Sequence, residues 1–174
     1  ITLLAQSGAN IPYNINFANN FTASQIITSG SVQFVNGNLQ LLGPSQTSTS
    51  SSAWFALEAS DGTVTSNPLK ILSGFETTFT FNMAKSDGTT NMEGLAFVIQ
   101  SQSPTARGSD GAGLGYSGLM NSIAIEFDAR WSSAYDNTAT DQHISVHTYY
   151  TGMNSAIEST TYWPLGSEPV MDLP

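Results

Sequence analysis

An all-β chain, folded as an antiparallel β-sandwich of the jelly-roll type, is what this sequence predicts, and three observations lead there. Short segments rich in β-branched and aromatic residues recur along the chain, and no stretch keeps a helical period. Phe75-Glu76-Thr77-Thr78-Phe79-Thr80-Phe81 alternates with period two, which puts Phe75, Phe79 and Phe81 on one face of a half-buried strand. Val35-Asn36-Gly37-Asn38-Leu39 carries the Asn-Gly pair that tolerates the positive φ of a two-residue hairpin turn. Many strands with few helices pack as two sheets face to face.

Candidate strands follow in order at 13–17, 31–35, 39–42, 53–57, 69–71, 75–83, 94–100, 122–127 and 143–149. The second and third flank the Asn-Gly turn. A Ser/Thr-rich run at 45–52 precedes the fourth and reads as a mobile surface loop. The seventh is apolar on both faces between Leu95 and Ile99, as a central strand covered on both sides would be. Two long connections, 101–112 and 131–142, are expected to carry function, because structureless loops of that length are uncommon in compact domains.

The chain has 174 residues, enough for one domain spanning 1–174, and 10% are charged. No cysteine is present, which removes thiol chemistry and disulfides from consideration. The net charge of −9 sets 13 acidic residues against Lys70, Lys85, Arg107 and Arg130. Nucleic acid and anionic lipid headgroups would repel such a chain. No apolar run reaches the ~18 residues of a membrane span. Ile1-Thr2-Leu3-Leu4 lacks the pattern of a signal peptide, as a processed secreted chain would. Uncharged Ser, Thr, Asn and Gly dominate the polar positions, and Asn20-Phe21-Thr22 is a glycosylation sequon. An extracellular or cell-surface location is the expectation.

The chemistry concentrates in Ile125-Glu126-Phe127-Asp128, followed by Asp136 and His143. On a strand Glu126 and Asp128 share one face, while Ile125 and Phe127 are expected in the core. Neighbouring carboxylates repel unless a cation sits between them. Asp136 and His143 add further ligands. One nitrogen among oxygens favours a transition metal beside a harder, all-oxygen calcium site. His147 falls on the His143 face of the strand, but four residues at about 3.3 Å each place it roughly 13 Å away, so strand spacing sets it aside. The loop Gly111-Ala112-Gly113-Leu114-Gly115 lets backbone N–H groups approach a ligand closely.

These pieces together resemble the legume-type (L-type) lectins. Gly74-Phe75-Glu76-Thr77-Thr78-Phe79-Thr80-Phe81, Gly94-Leu95-Ala96-Phe97-Val98-Ile99, Gly113-Leu114-Gly115-Tyr116, Asn121-Ser122-Ile123-Ala124-Ile125-Glu126-Phe127-Asp128 and His143-Ile144-Ser145-Val146 occur in that family's order. The resemblance implies a concanavalin A-like sandwich and a metal-dependent, non-catalytic module that binds glycans and glycoconjugates. It implies Glu126, Asp128, Asp136 and His143 as ligands of a transition metal, typically Mn2+. Asp128 and Asp136 would bridge to Ca2+ with the backbone carbonyl of Arg130. Ser132 stands where the family has an asparagine that meets both calcium and sugar. Glu93 stands where it has a sugar-binding aspartate, and Arg130 where an aromatic ring stacks on the sugar. Gly111, Ala112 and Gly113 would offer backbone contacts, and Trp131 or Tyr135 a substitute flat surface.

Two other functions compete. Glucanases of the same fold carry Glu-x-Asp-x-x-Glu for retaining hydrolysis, but Trp131 occupies the second glutamate position here. A lectin-like adhesin or filament subunit with weakened sugar binding is the other reading, favoured by Glu93, Arg130 and Ser132. Family members continue past the position of Pro174 with further strands. A complementary C-terminal segment, a second chain or a homo-oligomer is therefore expected to cover the sheet edges.

Overall fold

The computed structural model describes residues 2–7, 9–14, 26–46, 48–55, 57–58, 64–67, 75–83, 93–136, 142–158 and 166–169. Among them the regular structure is all strand apart from one 3-10 turn, Gly111–Gly113. The strands are β1 (Thr2–Ser7), β2 (Ala9–Asn14), β3 (Ile26–Ser29), β4 (Gln33–Val35), β5 (Asn38–Gln40), β6 (Ser52–Phe55), β7 (Leu57–Glu58), β8 (Val64–Asn67), β9 (Phe75–Thr78), β10 (Gly94–Gln100), β11 (Ser122–Asp128), β12 (His143–Thr148) and β13 (Gly166–Pro169). The expected strand at 69–71 and the sequon at 20–22 lie outside the described residues.

β10-β11-β12-β13 form the antiparallel sheet that matters for function. β2-β1-β9 make a second sheet, with the pairs β3-β6, β4-β5 and β7-β8 beside them. β4 and β5 close the anticipated hairpin, with Asn36 at φ 50° and Gly37 at φ 75°. Strands β1, β2, β3, β8 and β13 show where sequence patterning falls short. Runs such as Gly166-Ser167-Glu168-Pro169 carry no apolar alternation and are strands because β12 offers them a partner.

Register decides what the main sheet buries. Ala124 pairs with His147, Glu126 with Ser145 and Asp128 with His143, so one face presents Ala124, Glu126, Asp128, His143, Ser145 and His147. All six are buried, Glu126 to 1% exposure. The opposite face presents Ile125, Phe127, Ile144 and Val146, which are only half-buried. The expectation that Ile125 and Phe127, and not the carboxylates, take the buried face is thus corrected. The physical reason is the covering layer. Tyr116, Leu119 and Ala156 fold over the carboxylate face and form the buried core with Ala106 and Ala124. Phe79 and Phe81 cover the other face, Phe79 stacking on Phe97 at 5.4 Å and Phe81 meeting Phe127 at 4.8 Å between centroids.

β10 pairs only with β11 among the described residues, and its seven residues are half-buried. Its doubly apolar pattern therefore does not make it a fully enclosed central strand. The end of the Ser/Thr-rich run is also better anchored than its composition suggests. Ser50 donates to Asp110 Oδ1 from its amide at 2.8 Å and its hydroxyl at 2.6 Å. Arg107 Nη1 donates to the Ser50 carbonyl at 2.8 Å, and Trp54 Nε1 to the Ala106 carbonyl at 2.7 Å. These bonds fasten β6 and the segment before it to the glycine loop.

Candidate functional site

Alternation along β11 and β12 aims Glu126, Asp128, His143, Ser145 and His147 into one pocket of the covered face. Asp128 ends β11 and organises the loop after it by accepting the Arg130 amide at Oδ1, 2.7 Å away. Asp136 does the same from the far side, its Oδ2 accepting the Ser132 amide at 2.5 Å. The Ser132 carbonyl accepts the amides of Tyr135 and Asp136 at 2.9 and 2.8 Å. Short carboxylate side chains turning nearby backbone in this way explain why the loop carries Asp128 and Asp136. The Glu158 amide donates to the Tyr135 carbonyl at 2.6 Å, which brings residues 154–158 over the site.

Glu126 is the hub. Its Oε2 accepts the Tyr116 hydroxyl at 2.7 Å, and its Oε1 accepts the Ser145 hydroxyl at 2.5 Å. His147 Nε2 lies 3.0 Å from Oε1, and His143 Nε2 lies 3.4 Å from it. His143 Nε2 is also 3.3 Å from Glu158 Oε1. Neither His143 Nε2 nor Glu158 Oε1 has a hydrogen-bond partner, although both are buried. Polar atoms so placed are costly unless something else meets them.

The electrostatics have the same origin. Burial works against a charged Glu126, yet the neighbouring His143 and His147 imidazoles and the Ser145 hydroxyl hold its carboxyl down at about 2. Asp128 is pushed up, first by burial and then by the charges of Asp136 and Glu126, against the pull of the Arg130 amide. Asp136 is raised for the same leading reason, burial. His143 is raised by the Glu126 carboxylate, against burial and with further help from Glu158 and Asp128. Burial and Glu126 push the Tyr116 hydroxyl far up, so it stays a donor. Carboxylates and an imidazole raised in this way are groups that a divalent cation would deprotonate on binding.

Donor atoms of Glu126, Asp128 and His143 lie within 4.8 Å of one another, as do those of Asp136, His143 and Glu158. The four side chains expected as transition-metal ligands therefore fall in two donor groups that share His143. The two buried atoms without hydrogen-bond partners make that pocket fit a cation. Glu158 was not foreseen, since a lone glutamate in Asn154-Ser155-Ala156-Ile157-Glu158 carries no motif. His147 was set aside on backbone spacing; its Nε2 meets the same Glu126 oxygen as His143 Nε2, although no donor group among the described residues holds both imidazoles. Strand spacing measures Cα positions, whereas long side chains on one face can lean toward a shared partner.

Two of the residues expected at the sugar, Glu93 and Arg130, meet each other. The Glu93 carbonyl accepts the Ala129 amide at 2.8 Å, and its carboxylate pairs with the Arg130 guanidinium. Trp131 is 40% exposed, whereas Tyr135 packs against the core around Tyr116. Of the two aromatic candidates, Trp131 is the one that faces solvent. Gly111, Ala112 and Gly113 form the 3-10 turn, closed by Leu114 in the left-handed region at φ 48°. The Ser132 amide is taken by Asp136, and its carbonyl by the turn.

The legume lectin domain model matches this chain over residues 13–166, which include β3 to β12 and the whole carboxylate–histidine site. The chain belongs to the legume lectin family, whose concanavalin-like β-sandwich is the fold class that its strand pattern predicts.

Proposed function

We propose that this chain is a metal-dependent carbohydrate-binding module in which Ca2+ and a transition metal such as Mn2+ order the loop 128–143 and the glycine turn. The family is a carbohydrate-binding one and generally non-catalytic. The observation that carries the metal dependence is the buried meeting of Glu126, Asp128 and His143 beneath that loop. Such an accumulation of acid is hard to hold in a folded interior without a cation. A transition metal there would be held by Glu126, Asp128, Asp136 and His143. Calcium would draw on Asp128, Asp136, the Arg130 carbonyl and Ser132. Bound ions supply fixed positive charge, not chemistry, and the loop then presents Glu93, Trp131 and the Gly111–Gly113 amides to a glycan. Trp131 at the position where glucanases of this fold carry a second glutamate supports a non-catalytic role. A secreted or cell-surface setting suits the composition.

The Arg130–Glu93 ion pair favours a second reading, an adhesin or filament subunit with weakened sugar binding, because it occupies the carboxylate expected to meet sugar hydroxyls. Glycan-array binding before and after exhaustive chelation separates the two. Signal that disappears with the metal and returns on adding Ca2+ and Mn2+ supports the lectin reading. Undiminished binding by verified metal-free protein would remove the ions from the account.

A further inference from the structure

We infer that Asp110 and Ser50 are positioning residues for glycan binding, fixing the glycine turn so that the Gly111 and Ala112 amides stay open to the ligand. This rests on the reading above that the turn meets a carbohydrate, and it assigns the residues that set how well it does so. Within the turn the Gly113 amide donates to the Asp110 carbonyl at 3.2 Å, and the Leu114 amide to the Gly111 carbonyl at 2.9 Å. The Gly111 and Ala112 amides have no acceptor among the described residues, so they are the donors left for sugar oxygens. Gly111 sits at φ 60° and Leu114 at φ 48°. A leucine in the left-handed region persists only where its surroundings fix it.

Ser50 supplies that fixation from a remote part of the chain. Its amide and hydroxyl donate to Asp110 Oδ1 at 2.8 and 2.6 Å, and its carbonyl accepts Arg107 Nη1 at 2.8 Å. A Cβ on Gly115 would lie 3.3 Å from Ser50 Cβ, so the far end of the turn backs onto the same residue. Ser50 therefore brackets the turn, bonded to Arg107 and Asp110 before it and packed against Gly115 after it. It is 7% exposed, and its hydroxyl is spent on Asp110, out of a ligand's reach. Asp110 itself is exposed. The Ser50 bonds, with the Arg107 charge, hold its carboxyl below the ordinary aspartate range, so it remains an acceptor at neutral pH. Hydrogen bonds weaken steeply when donor and acceptor are misaligned, so a turn released from Ser50 would lose its hold on sugar oxygens. None of these residues is among the proposed metal ligands.

The test uses the full chain loaded with Ca2+ and Mn2+ and an array of glycans ending in mannose, glucose, galactose or N-acetylglucosamine. Amide hydrogen exchange read by NMR accompanies it. Asp110→Ala should weaken binding to the glycans that the unsubstituted chain takes by about tenfold or more. Ser50→Ala removes one bond and no ligand contact, and should weaken it by about three- to tenfold. Asp110→Asn keeps an acceptor oxygen and should restore most of the binding. Exchange at Gly113 and Leu114 should quicken by about tenfold with Asp110→Ala, while exchange along β11 and β12 stays as it was. Unchanged glycan binding by Asp110→Ala overturns the inference. So does a loss with Asp110→Ala that Ser50→Ala does not share, which would make Asp110 a direct ligand contact. An unsubstituted chain that binds none of these glycans overturns the carbohydrate reading itself, and this inference with it. Where Asp110→Ala fails to fold, Ser50→Ala and its exchange pattern decide the matter.

Discussion

The Tyr116 hydroxyl donates to Glu126 Oε2 at 2.7 Å, joining the layer that follows the glycine turn to the strand that carries Glu126 and Asp128. Both side chains are among the most deeply buried in the chain. The bond fixes one carboxylate oxygen and leaves Oε1 turned toward the histidines.

Tyr116→Phe keeps the ring and removes that donor. Leaving a buried, charged acceptor short of one partner costs about 1–3 kcal/mol. The urea midpoint of the metal-free variant should fall accordingly, with an unchanged m-value. Metal affinity should fall too, since Glu126 loses its orientation.

Gly94 opens β10 opposite Asp128. A Cβ there would collide with the Phe127 carbonyl oxygen and lie 3.1 Å from Leu114 Cδ2. Gly94→Ala should therefore push the end of β11 outward, at a cost of about 1–3 kcal/mol. Displacement of Asp128 should weaken calcium binding, measured by titration of the metal-free protein.

Metal-free protein should lose stability as pH rises. The folded-state pKa of Asp128 is raised to about 7 from 3.8, so its contribution is complete below 3.8 and vanishes as pH climbs through about 7. That of His143 is raised to about 9 from 6.5, and its contribution is lost on passing about 9. Glu126 works the opposite way: its contribution is present above 4.5 and disappears as pH falls through about 2. The groups facing this cluster are Asp136, His147, Glu158 and Tyr116. Urea midpoints measured on chelated protein should be higher at about pH 5 than at about pH 9. Saturating metal should reverse that slope, because the ligands must release their protons to bind.

Arg130→Ala should free the Glu93 carboxylate. The pair is exposed enough that its loss should change stability by no more than about 0.5 kcal/mol. Binding of neutral sugars on a glycan array should increase, since Glu93 regains its capacity to accept hydroxyl hydrogen bonds. A fall in binding would show that the guanidinium itself holds the ligand.

Strand chemistry and local turn signals were open to direct reading. Gly94–Gln100, the Asn36-Gly37 hairpin, and the Glu126/Asp128 and His143 faces all follow from periods of two and from positive-φ residues, which are properties of neighbours along the chain. Which face of that sheet would be sealed was not legible, because the seal is made by Tyr116, Leu119 and Ala156, distant in sequence and brought in by loops. For the same reason Glu158 was invisible, and the contact of His147 with Glu126 was not anticipated. Their roles depend on the β11–β12 register and on a backbone bond from Glu158 to Tyr135, contacts that exist only once remote segments close on each other. Local preference writes the strands and the ligand types; long-range packing chooses which polar groups lose water, and so where a cation would be needed.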